Sequence, residues 1–255
     1  MSSLAAVHPA CTSAVREQIL AAAAAMKQLP LAIATEAPRT FDNFLPGANA
    51  PARDHLMALG PAPAPVYLWG PSGSGKTHLL QAAAGSFQQQ GGRVGWFGAA
   101  LATPWADEES WSLIVIDDCD RLDAGQQQAA FALFVEAAGS GVPVLAAGAV
   151  PPIDLALRDD LRSRLAWGHV FALQPLAEPE VRAALRREAD RRGLFLSDEV
   201  MDYLLTRFER DLKHLTAQLD RLDLFAMVNK RAITLPLLRQ MLADEAAPDP
   251  AAPAA

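Results

Sequence analysis

Lys76 and Thr77 close the run Gly70, Pro71, Ser72, Gly73, Ser74, Gly75, which completes a G-x-x-x-x-G-K-[ST] pattern directly behind an apolar stretch. These residue types at this spacing do phosphate chemistry. Glycines let consecutive backbone N–H groups curl around phosphate oxygens, the lysine reaches the β- and γ-phosphates, and the threonine hydroxyl faces Mg²⁺. His78 then opens a predicted helix, 78–90, whose N-terminus faces the anion. Farther along, the apolar residues 113–116 are followed by Asp117 and Asp118. That places two carboxylates at the carboxyl end of a buried strand, where open α/β sheets bind their ligands. Asp117 suits a magnesium ion, directly or through water, and Asp118 suits orienting or deprotonating an attacking water. Asp120 and Asp123 read as surface turn residues.

The elements that must hold these groups alternate. Short apolar or β-rich runs at 66–70, 94–97, 113–117, 142–147 and 169–173 are separated by stretches with helix-like sequence at 78–90 and 126–138. Buried runs alternating with helices imply a parallel sheet covered on both faces, an α/β fold. After Pro175 only amphipathic helices are expected, at 178–192, 197–208, 211–228 and 235–243. Ser197 and Asp198 resemble a helix start, and Gly193 a helix stop. The expected organisation is an Ala-rich extension at 1–25, a short segment at 26–38, a nucleotide-binding domain at 39–174, a helical lid at 175–245 and a compositionally disordered tail at 246–255.

Bulk composition narrows the field. With 255 residues, 51% of them hydrophobic and 20% charged, the chain can bury a sizeable core. A net charge of −7 offers no global attraction to nucleic acid, so any DNA contact requires a local patch or a partner. The two cysteines, Cys11 and Cys119, suggest neither a disulfide framework nor a zinc site. No run approaches the length of a membrane span and no charged segment precedes residues 20–26, so a cytoplasmic location is expected. Arg182, Arg186, Arg187, Arg191 and Arg192 cluster on one predicted helix, but Glu178, Glu180, Glu188 and Asp190 accompany them, a pattern of local pairs rather than of a specific DNA site.

Taken together, FDNF at 41–44, GPSGSGKTHLLQA at 70–82, LIVIDD at 113–118, the GxxPP loop at 148–152 and LRSRLAWG at 161–168 resemble the DnaA-like family of AAA+ ATPases over residues 39–245. The resemblance implies a five-stranded nucleotide-binding domain with a helical lid, binding ADP or ATP with Mg²⁺. It implies that Phe41 and Phe44, in the segment 41–45, line the base side of the pocket. It assigns Arg164 as an arginine finger inserted into a neighbour's site. Lys213 falls where the lid of such proteins carries an arginine that touches the nucleotide; lysine keeps the charge and loses the planar fork. The loop after residue 147, where related ATPases carry a polar residue sensing the γ-phosphate, offers only Gly148 and Ala149.

Three departures separate this chain from the initiators of the family. The helical region closes near residue 245, where initiators continue into a DNA-binding helix-turn-helix domain. Only residues 100–112 separate the second and third strands, too few for the insertion that initiators use on single-stranded DNA. Lys27 to Ile33, KQLPLAI, resembles the peptide that bacterial proteins insert into the groove of the replication sliding clamp, with Gln28, Leu29, Pro30, Leu31 and Ile33 as its contacts. This combination is similar to the regulatory, initiator-inactivating members of the family. It implies two partners, the initiator DnaA and the clamp of the replicative polymerase, and it leaves homo-oligomerisation open. The competing expectation is a self-sufficient ATPase or helicase loader that uses Asp118 on its own nucleotide.

Overall fold

In the computed structural model of the chain, residues 38–60, 64–105, 111–208 and 212–246 are described. Residues 36–219 form one compact unit, and Asp220–Ala255 falls in a second. The first unit opens with helix α1 (Ala50–Met57) and then alternates β1 (Val66–Trp69), α2 (Lys76–Gln89), β2 (Val94–Gly98), β3 (Leu113–Asp117), α3 (Ala124–Ser140), β4 (Val144–Gly148), α4 (Asp159–Trp167) and β5 (His169–Ala172). The strands form one parallel sheet in the order β2-β3-β4-β1-β5. The expected strands and helices are in place. α1 and α4 are additions that short, proline-punctuated sequence did not announce; Pro51 sits in the first turn of α1, the one helical position that tolerates it.

Side chains alternate between the two faces of the sheet, as the two-residue period of a strand requires. Val66, Leu68, Leu113, Val115, Leu145 and Ala147 pack with α1 and α2 through Leu56, Leu79, Leu80 and Ala83. Tyr67, Ile114, Ile116, Val144 and Ala146 pack on the other face with α3 and α4 through Leu133, Phe134, Leu161 and Leu165. Because β1, β3 and β4 are central, they are apolar on both faces. β2 and β5 are edges and are partly exposed, with Trp96 and Val170 reaching solvent.

Beyond β5 come α5 (Glu178–Arg191) and α6 (Asp198–Arg207). α5 stops where a glycine is needed: Gly193 adopts φ +70°, the Leu194 N–H returns to Ala189 O at 2.9 Å and the Gly193 N–H to Asp190 O at 3.0 Å. Ser197 caps α6 by accepting the Val200 N–H. Four of the arginines on and just after α5 are engaged locally, Arg182 with Asp202, Arg186 with Asp198 at 2.6 Å, and Arg191 and Arg192 with Glu188. Helix α7 (Leu212–Asn229) begins in the first unit and ends in the second. There Leu222, Ala226, and Leu237, Leu238 and Met241 of α8 (Leu235–Ala246) are buried. Among the described residues no helix is long and apolar enough to cross a membrane.

Candidate functional site

The phosphate loop leaves the carboxyl end of β1 and feeds α2, whose N-cap is Gly75. Gly75 holds φ +97°, and a Cβ there would come within 2.8 Å of the Phe44 ring, so both backbone conformation and space exclude a side chain. The first amides of α2 have no partner within the helix and are directed at whatever occupies the loop. Lys76 Nζ donates to the Gly70 carbonyl at 2.7 Å and the Pro71 carbonyl at 2.9 Å. Burial pushes its ammonium pKa down, against the pull of Asp117, Asp118 and Asp120. Ser74 is buried and its Oγ has no hydrogen-bond partner among the described residues. An orphaned hydroxyl under a glycine-rich loop fits a site made to receive a polar group.

Asp117 and Thr77 come together across the sheet. Thr77 Oγ1 donates to Asp117 Oδ2 at 2.9 Å, and the Asp118 N–H to Asp117 Oδ1 at 3.0 Å. Burial pushes the Asp117 carboxyl up, while those two hydrogen bonds hold it down. A hydroxyl and a carboxylate so placed are hard oxygen ligands. Among the described residues no group of three or more His, Cys, Asp or Glu could hold a metal. A cation here would therefore be completed by phosphate and water oxygens, the habit of Mg²⁺ rather than of zinc. Asp118 sits in the left-handed region at φ +53° and is exposed, with Arg121 at 4.0 Å. Cys119 beside it is fully buried and its thiol pKa is pushed up by burial, so it stays a neutral core residue.

Beside the loop, Phe44 is buried against Gly75 and meets His78 edge-on at 5.2 Å, and His78 Nε2 contacts the Thr40 carbonyl at 3.0 Å. Burial lowers the His78 pKa and favours the neutral ring. Phe41 is half-buried at the edge of the same cluster. At the end of β4, the lack of a side chain at Gly148 has a physical cause. A Cβ on Gly148 would collide with the Tyr67 hydroxyl, which donates to Val150 O at 2.9 Å, and the Ala149 N–H is taken by Asp120 Oδ1 at 2.8 Å. Asp120 and Asp123 are surface residues with local structural partners, Asp123 as the N-cap of α3 in a capping box with Gln126.

Arg164 lies elsewhere. α4 packs on the α3 face of the sheet, across from α2, and it ends beside the start of β1, where the His169 N–H reaches Pro65 O at 2.8 Å. The phosphate loop leaves the opposite end of the same strand. At the start of α4, its N-cap residue Arg158 pairs with Asp160, and Arg162 pairs with Asp159, each at 2.6 Å. Arg164 is half-buried and makes no hydrogen bond or ion pair with a described residue. Trp167, one turn on, is 70% exposed.

Lys213 falls in α7, but its side chain is outside the described residues, as are Gln28, Leu29, Pro30, Leu31 and Ile33. Sequence reasoning passed over Asn49, which is 4% exposed. Its Nδ2 donates to Ser74 O at 3.3 Å and Gln174 O at 2.8 Å, and its Oδ1 accepts the Gln174 N–H at 2.8 Å. A cavity of about 470 Å³ lined by Leu56, Phe87, Trp111 and Pro143 lies at the amino edge of the sheet. It lacks the phosphate-directed amides and is distinct from the loop.

The site and sheet define a P-loop AAA+ architecture. Residues 178–242 match the family profile described as Hda, lid domain, and residues 36–95 match the bacterial DnaA ATPase domain. Domain III of the Thermotoga maritima replication initiation protein DnaA is similar in structure, with TM-score 0.70 and 23% identity over 81% of this chain and 96% of that one. AMPPCP-bound DnaA from Aquifex aeolicus gives TM-score 0.65 and 23% identity over 82% and 69%. The Thermotoga maritima RuvB Holliday junction branch migration motor gives 0.61 and 18% over 81% and 72%. The chain therefore has the AAA+ fold of these structures, with a match to an Hda-type lid over residues 178–242 and to a DnaA-type ATPase domain over residues 36–95.

Proposed function

We propose that this chain is a regulatory AAA+ protein that docks on the DNA-loaded sliding clamp and supplies Arg164 to ATP held by the initiator DnaA, promoting its hydrolysis and ending initiation competence. The observation that carries this reading is Arg164 itself. It is half-buried, unpaired among the described residues, and set across the sheet from the chain's own phosphate loop. A phosphate that meets this guanidinium belongs to another chain. An arginine finger supplied in trans accelerates phosphoryl transfer by ~10³ to 10⁵, enough to turn a slow ATPase into a switch.

In this chain's own pocket, Gly70 to Thr77 would hold the phosphates of ADP or ATP, with Phe41, Phe44 and His78 toward the base and Lys213 from the lid. Thr77 and Asp117 would hold Mg²⁺, which supplies charge neutralisation between the phosphates. Clamp docking is assigned to Gln28, Leu29, Pro30, Leu31 and Ile33, as an extended peptide from a cytoplasmic protein, with self-association left open. The closely set Thr77, Asp117 and Asp118 favour a second reading, an autonomous ATPase or helicase loader. Gly148, where Tyr67 leaves no room for a side chain, and Ala149, which carries no polar group, weigh against it.

The test is hydrolysis of DnaA-bound ATP with and without this protein, and with and without clamp loaded on DNA. Stimulation that requires both supports the regulator. Hydrolysis by this chain alone, indifferent to clamp and initiator, would transfer the activity to its own pocket.

A further inference from the structure

Asn49 belongs to neither half of the nucleotide motif, yet its buried side chain touches the phosphate loop from outside. Its carboxamide spans three backbone groups: the Ser74 carbonyl in the loop, and the carbonyl and N–H of Gln174 just after β5. Gln174 begins the connection into α5, the first helix of the lid. The same connection touches the loop a second time, because the Leu173 carbonyl lies against Gly70 and the Leu173 N–H bonds to Trp69 O at 2.6 Å. Gly47, two residues before Asn49, packs on Leu176 and Glu180, and Glu180 accepts the Ala177 N–H at 2.8 Å.

We propose that Asn49 is a positioning residue that couples occupancy of the phosphate loop to the strand-to-lid connection at Gln174. The coupling follows from peptide geometry. In a planar trans peptide the carbonyl and the next N–H point in opposite directions. By holding the Ser74 carbonyl, Asn49 turns the Gly75 N–H away from itself, toward the interior of the loop that receives phosphate. A nucleotide that engages this N–H fixes the 74–75 peptide, and through the carboxamide it fixes Gln174. The relation is reciprocal: whatever displaces the lid connection lowers nucleotide affinity by the same factor. Asparagine suits the position because one planar group presents two donors to two carbonyls and one acceptor to an N–H.

This inference rests on the phosphate-loop reading, and the experiment separates the two. In the full chain, ADP with Mg²⁺ is titrated by calorimetry, and amide hydrogen exchange at Gln174 and Leu176 is followed with and without ADP. In wild type, ADP slows exchange at Gln174. Asn49→Asp keeps the size but turns an acceptor oxygen toward two carbonyls. It should weaken ADP by about tenfold, the effect of losing one well-placed hydrogen bond, and abolish the ADP-dependent change at Gln174. Asn49→Ser, smaller and uncharged, gives the same readouts if Asn49→Asp does not fold. A merely structural role predicts faster exchange at Gln174 with the ADP effect and affinity retained, and that result overturns the proposal. If Lys76→Ala binds ADP like wild type, the phosphate-loop reading fails and the coupling with it. If Lys76→Ala loses ADP while both Asn49 variants bind within twofold of wild type, the coupling alone fails.

Discussion

Lys76 and Arg164 sit on opposite faces of one sheet and are treated in opposite ways by their surroundings. Lys76 is enclosed by the carbonyls of its own loop and lies near Asp117, Asp118 and Asp120, so its charge is already addressed within the chain. Arg164 stands on α4 just after two arginines that have carboxylate partners, Arg158 and Arg162, and has none among the described residues. A cation surrounded by acceptors is built to exchange them for a ligand in place. One without acceptors at a half-buried position fits the proposed acceptor on another molecule, since leaving it unmatched is costly.

The largest expected effect breaks this contrast at its outward end. Arg164→Ala should reduce stimulation of DnaA-bound ATP hydrolysis by ~10³ or more while leaving this chain's nucleotide affinity unchanged. Asp118→Asn should do less to that stimulation, and a larger loss from Asp118→Asn would place catalysis in this chain's own pocket. At the inward end, Lys76→Ala should weaken ADP binding by about tenfold to a hundredfold, taking a charged hydrogen-bonding contact at roughly 1.5 to 3 kcal/mol. The rise in melting temperature on adding ADP and Mg²⁺ should vanish with it, because that rise reports binding to the folded state alone.

A third change leaves both cations intact. Replacing Gln28, Leu29 and Leu31 together by Ala should abolish a micromolar clamp contact, since each buried leucine contributes ~1.5 to 3 kcal/mol. Removing residues 1–25 should not alter it. Clamp titrations of the triple variant and the truncation, run in parallel, decide between residues 28–33 and the Ala-rich extension.

The smallest effect concerns pH. Burial lowers the pKa of His78 beside the loop, and burial with the neighbouring His169 lowers that of His55 on α1. Both groups take up protons more readily unfolded than folded. Their contribution to stability is complete above the ordinary histidine value of about 6.5 and declines as pH falls from there through the lowered folded values. A modest drop in melting temperature between neutral and mildly acidic pH should therefore shrink in the His55→Gln, His78→Gln double variant. An unchanged drop would mean that other groups carry it.

Much of this molecule was legible in the chain because it depends on near neighbours. The glycine spacing before Lys76, the apolar run before Asp117, the cap at Ser197 and the stop at Gly193 are each dictated by local backbone conformation or by a period of two or 3.6 residues. The helix α4 was hidden because its nine residues are short and strongly charged, so only packing of Leu161 and Leu165 on the sheet reveals it. The same holds for the groups that position the site. Asn49 is an ordinary turn residue until β5 brings Gln174 to it, and Gly148 lacks a side chain because Tyr67, from a different strand, occupies the space. Around Arg164, the nearby carboxylates Asp159 and Asp160 are taken by their sequence neighbours Arg162 and Arg158. The sequence alone determined what chemistry the loop can do, since that is a property of residue types at fixed spacing. The direction each cation faces was decided only by the tertiary structure, because strand order and sheet face depend on burying apolar surface from distant parts of the chain.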